Sequence, residues 1–198
     1  MAVMLSGKLD ELVAAHDRTT KLIWAAMCGA LLVYAAVPFL ISAGWREPGD
    51  SVSAALLPFL AGVAVLFAAA SSVYRRREFS DDRFRSLLRE PTSVEKLVQH
   101  VPSERERSKL ATKLEAISPE DLRVYSVILS RLPPTIVVLA LQEVVGIAGL
   151  VAAFLTRDAT VVVPFVGVAL LLHIAVFPNT AALAERVGKL GLTVPTMT

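Results

Sequence analysis

Residues 22–45 read LIWAAMCGALLVYAAVPFLISAGW, twenty-four positions without a charge. An apolar stretch of this length matches the roughly 20 helical residues needed to cross a hydrocarbon core of about 30 Å. Trp24 and Trp45 bracket it, about 31 Å apart along a helix axis at 1.5 Å per residue. Tryptophan favours the two membrane–water boundaries, so the pair reads as an aromatic belt around one transmembrane helix.

Three further runs repeat the pattern, at 52–74, 135–156 and 161–177. The chain has 198 residues, 55% of them hydrophobic, against the 45 to 50% usual in soluble domains. The excess sits in these four runs, and almost all charge lies between them. The first and second runs are joined by REPGD at 46–50, a turn by composition, and the third and fourth by Arg157 and Asp158. Both joints fit only tight hairpins. The expected fold is therefore all-α and polytopic, four transmembrane helices arranged as two hairpins. Its parts are an amphipathic arm (1–21), a first transmembrane hairpin (22–74), a helical cytoplasmic segment (75–133), a second transmembrane hairpin (134–178) and a cytoplasmic tail (179–198). The first run is too long for the apolar region of a cleaved signal peptide and reads as an uncleaved anchor. Pro38, Pro58 and Pro164 lie within the runs, where neighbouring helices can satisfy the carbonyls they free.

Basic residues orient the chain. The two hairpin tips hold one arginine each, Arg46 and Arg157, and the other 18 of the 20 lysines and arginines lie outside the tips. Arg75, Arg76 and Arg77 follow the second run directly. The positive-inside rule puts both termini and the 75–133 segment in the cytoplasm. The style of the sequence suggests a bacterial inner membrane. The arginine triplet serves as a topology signal, with binding of anionic lipid or nucleic acid as further readings. A net charge of +2 gives no reason to expect nucleic acid as a partner.

The polar segments read as helices. Leu5, Leu9, Leu12, Val13 and His16 share one face of the arm, with Ser6 placed to cap it. This face suits either the membrane surface or the 75–133 segment. In that segment Ser103 and Glu106 form a capping box. Ser118 followed by Pro119, Glu120 and Asp121 marks a second start. Helices are expected over roughly 104–116 and 119–132, the latter broken by Pro133 and Pro134, with a shorter helix near 93–100.

Chemistry-bearing residues are few. Cys28 is the sole cysteine, which rules out an intramolecular disulfide or a thiolate metal cluster and suits a small buried hydrophobe. His16 and His100 are isolated. No nucleophile, acid and base converge by spacing, so the chain reads as a non-enzyme without cofactor or metal. The informative residue is Glu143, about 12 Å into the third run. A carboxylate at that depth costs several kcal/mol unless it is protonated, paired or facing water. Gln142, Gly146, Gly149 and Ala153 form a small and polar stripe beside it, fit for close helix packing. His173 lies in the fourth run, about 5 Å toward the cytoplasmic side of Glu143, where the two side chains could bridge if their faces agree.

Residues 140–153, ALQEVVGIAGLVAA, resemble the carboxylate-bearing helix of the proteolipid c subunit of rotary ATP synthases. In that family a glutamate is followed by isoleucine four positions on and by Gly-Leu-Val six to eight on. Glu143, Ile147, Gly149, Leu150 and Val151 stand at those positions, and the resemblance spans about 131–156. It implies that Glu143 is a reversible proton or sodium site. The second run lacks the family's glycine repeat, and the loop before the third is far longer. Two functions therefore stand: a structural or accessory subunit, with lipid and a second copy or other membrane subunits as partners, and a proton or cation path through Glu143, Gln142 and His173.

The charge pattern makes a direct prediction. In a Cys28→Ala background, cysteine at Gly49 or Asp158 reacts with an impermeant thiol reagent added to intact cells, and cysteine at Ser108 does not. The reverse labelling would invert the topology.

Overall fold

The computed structural model describes residues 7–45, 51–99 and 101–191. Among them every regular element is helical: α1 (Gly7–Ile41), α2 (Ser51–Glu78), α3 (Asp81–Arg89), α4 (Val94–Val98), α5 (Glu104–Glu115), α6 (Pro119–Leu129), α7 (Leu132–Thr156), α8 (Val162–Ala175) and α9 (Thr180–Gly191), with 3₁₀ turns at Ser42–Gly44 and Ala159–Val161. Three helices are long and apolar enough to cross a membrane, and a fourth qualifies if α8 and α9 are counted together. The arm's Leu5 and Ser6, the 46–50 joint and His100 lie outside the described residues.

The chain divides into two compact units. The first gathers Met1–Thr20, Arg77–Pro133 and Pro178–Thr198. Its core joins Leu9, Leu12 and Val13 of α1 to Phe84 and Leu88 of α3, Leu114 of α5, Val124, Tyr125, Val127 and Ile128 of α6, and Ala184 and Val187 of α9. The arm's apolar face is therefore packed on the 75–133 segment. Lys113 anchors it with a 2.7 Å ion pair to Glu11, which holds that carboxyl below its ordinary range.

Side-chain caps set the helix starts. Ser80, Ser93, Ser103 and Ser118 each accept from the backbone N–H three residues on, filling donors that the first turn cannot pair internally. Two of these helices differ from expectation. Nothing in the apolar periodicity singled out α3, although Ser80 with Asp81 and Asp82 is a helix start by chemistry. The expected tail holds α9, where Asn179 caps Ala182 and Ala184 and Val187 are fully buried. The prolines at 133 and 134 also act in the opposite sense to that expected. The break falls at Ser130 and Arg131, and Pro133 and Pro134 lie in the first turn of α7, where their missing N–H groups would have had no partner.

Arg131 fills that break. It is 4% exposed, its guanidinium donates to the Glu78 carbonyl and lies 3.6 Å from the Glu78 carboxylate. It also stands over the rings of Phe79 and Phe84, at 5.8 and 5.7 Å. Arg186 of α9 approaches the Phe84 ring at 5.2 Å while bonding Asp81 at 2.6 and 2.9 Å. Phe84 thus joins three helices and two cations.

The second unit comprises Lys21–Arg76 and Pro134–Phe177. Its core is made of small and branched residues: Leu31, Ala64, Val145, Ala148, Ala153, Val162, Val166 and Ala169. Every large hydrophobic side chain exposed among the described residues belongs to this unit, from Leu22 at 72% to Phe177 at 50%. The first unit contributes none.

Phe84→Ala is expected to destabilise the first unit by about 3–5 kcal/mol, the cost of emptying an aromatic site in a packed core, with the contacts of both arginines lost in addition. Thermal unfolding of the full chain in detergent, followed by proteolysis within 77–133, measures it. An unchanged midpoint would remove Phe84 as the hub of this core.

Candidate functional site

The second unit places the candidate residues along α7. Gln142, Gly146, Gly149 and Ala153 are all buried, because spacings of three, four and seven keep them on one side of a 3.6-residue helix. The glycines set how near the neighbours come. A Cβ on Gly146 would strike Cδ2 of Leu31 on α1, and one on Gly149 would strike Cβ of Phe165, with Cγ at 2.8 Å and Cδ2 at 3.2 Å. Gly149 and Phe165 stand at equal sequence distances from Arg157, whose φ of 53° makes the left-handed turn between α7 and the Ala159–Val161 turn. Asp158 closes the turn: its N–H donates to the Ala153 carbonyl and its carboxylate accepts from Thr160 at 2.7 and 2.9 Å. Those bonds hold its carboxyl below its ordinary range.

Glu143 is one step around from this stripe. If Gly149 marks the direction of α8, Gly146 lies about 60° away, toward α1, and Glu143 about 120° away, at 100° per residue. Glu143 is accordingly half-buried at the α1 edge of α7, within electrostatic reach of Cys28. No hydrogen bond or ion pair reaches its carboxyl among the described residues. Cys28, read from sequence as a buried small residue, is itself only partly buried.

His173 lies on α8. It is fully buried. Its Nδ1 lies 3.0 Å from the Ala169 carbonyl, an oxygen that only accepts, so Nδ1 carries the proton. Its own carbonyl accepts from the Trp24 indole at 2.9 Å. Counted from the Gly149–Phe165 contact, Glu143 is about 9 Å along α7 and His173 about 12 Å along α8. No hydrogen bond or ion pair joins the two among the described residues. The buried atoms left without partners among the described residues are Gln142 Oε1 and His173 Nε2.

The aromatic pairs were only half visible in the sequence. Trp24 meets the Phe177 ring edge-on at 5.0 Å, with Lys21 5.9 Å from the same ring. Trp45 meets Phe154 at 6.2 Å. The spacing of the tryptophans was legible; their phenylalanine partners lie more than a hundred residues away in sequence and were not.

The two glycines differ in what stands against them, and substitution reads out the difference. Gly149→Ala meets the Cβ of Phe165, which moves only with its backbone. Gly146→Ala meets the far end of a flexible leucine. Overpacking costs about 1–3 kcal/mol, and Gly149→Ala is expected to lose more thermal stability in detergent than Gly146→Ala, with Gly149→Leu worse than either. Equal losses would mean that Phe165 yields as easily as Leu31.

No protein-family model, no curated protein and no solved structure matches the chain.

Proposed function

We propose that this chain is a non-enzymatic structural or accessory subunit of a bacterial inner-membrane assembly. It crosses the membrane four times as two helical hairpins, with its termini and the 75–133 segment in the cytoplasm. The confinement of exposed large hydrophobics to the second unit supports insertion of that unit, since such area is unfavourable in water and costs nothing against lipid. The aromatic contacts of Trp24 and Trp45 suit the two boundaries of a bilayer. The 17 residues of Ala159–Ala175 reach the lower end of the span range.

The carrying observation is Glu143. A half-buried carboxyl at mid-span with no partner among the described residues is expensive in hydrocarbon. A polar group from a second copy or another subunit, docked along the α1–α7 edge, removes that cost and gives the assembly its register. The same unpaired carboxyl, with the unpartnered Gln142 Oε1 beside it in sequence, favours a second reading: a proton or cation site, as the resemblance to the c-subunit helix implies.

Glutamine keeps the shape of Glu143 but cannot titrate. Under the assembly reading Glu143→Gln retains the native complex size, whereas Glu143→Ala weakens association by about 1–2 kcal/mol, the scale of an interhelical hydrogen bond in lipid. Native mass measurement from mild detergent checks this, alongside proton flux in liposomes. Flux above that of empty liposomes, abolished by Glu143→Gln, would transfer the function to translocation. Identical complexes from wild type and Glu143→Ala would remove Glu143 from assembly.

A further inference from the structure

An apolar groove runs along α2 in the second unit. It is lined by Ala61, Ala64, Val65 and Ala68 of α2, Val145 of α7, and Pro164, Phe165 and Val168 of α8. The alanines of α2 leave the groove open where larger side chains would have closed it. Ala61, Ala68 and Arg75 follow one another at intervals of seven, which is nearly two turns, so they lie in line on α2. The groove therefore points along its helix toward Arg75. Arg75 and Arg76 are exposed, and neither makes an ion pair among the described residues. No acidic side chain neutralises this end of α2 within the unit.

We propose that the groove holds one acyl chain of an anionic phospholipid, with its phosphate held by Arg75 and Arg76. The dimensions agree. The groove begins about 10 Å from Arg75 along the helix and ends about 21 Å from it. One leaflet of a bilayer is about 15 Å deep, so a chain hanging from a phosphate at Arg75 brings its terminal part into the nearer half of the groove. The charge agrees as well. A guanidinium binds phosphate through paired N–H donors, and basic residues at the cytoplasmic membrane surface gain about 1 kcal/mol each from anionic lipid. Zwitterionic lipid offers the same chain but a phosphate already paired with its own cation. Hydrocarbon alone would fill the groove with any lipid; Arg75 in line with it, with Arg76 beside it, makes the occupant anionic.

The inference rests on the membrane reading, and its test separates the two. The full chain, purified in detergent and mixed with phosphatidylglycerol or phosphatidylcholine, is examined by native mass spectrometry. Wild type should retain phosphatidylglycerol in preference to phosphatidylcholine. Arg75→Gln with Arg76→Gln should lose that preference, and Arg75→Lys with Arg76→Lys should keep most of it. Ala64→Leu with Ala68→Leu, which fills the groove, should lose retention of both lipids. The arginine variants lie on an exposed surface and report even where the filled groove does not fold. Equal retention of the two lipids by wild type, or full phosphatidylglycerol retention by the filled variant, would overturn the site. A protein that resists alkaline extraction from membranes yet shows no preference overturns the lipid site alone, while release by alkali overturns the membrane reading with it.

Discussion

The second unit depends on how near α7 can come to its neighbours. In the membrane setting proposed above, hydrocarbon offers no hydrophobic gain for bringing apolar helices together, so their association relies on close contact and a few polar bonds. Gly146 and Gly149 supply the contact, because Leu31 and Phe165 occupy the space where their side chains would be. Gln142 and Ala153 are buried through the same approach. Glu143 is set by it too: a residue one step off the packed stripe must lie at its edge, half-buried and without a partner among the described residues.

The first unit is held by different means. Its helices are short and carry many charges, and helices of that length are marginal alone. Serine caps fix where they start, and the residues between charges meet in one core. A buried arginine is costly in isolation. Arg131 is tolerated because the Glu78 carbonyl, the Glu78 carboxylate and two aromatic faces all receive it. This cluster ties the end of α2 to the start of α7.

These features are what the proposed assembly reading rests on. Among the described residues the Glu143 carboxyl has no hydrogen bond or ion pair, and the α2 side of the groove stops about 10 Å short of the exposed Arg75. His173, by contrast, is engaged by its own helix and by Trp24, and it serves the packing of α1 with α8 more directly than any exchange with Glu143.

Much of this was determined by sequence alone, because apolar length, charge placement and capping are local. The long apolar helices, the starts at Ser103 and Ser118, and the small stripe on α7 follow from residues within a few turns of one another. The helix over Asp81–Arg89 and the one over Thr180–Gly191 did not emerge. Each is too short for its periodicity to stand out, and each gains its stability from the Phe84 core contributed by distant segments. Tertiary structure also decided that the arm packs on 77–133, that Pro133 and Pro134 open a helix, and that no bond joins Glu143 to His173 among the described residues. Residue spacing gives the depth of a side chain in its own helix, but the face it shares with another helix is set by where the two make contact, here at Gly149 and Phe165.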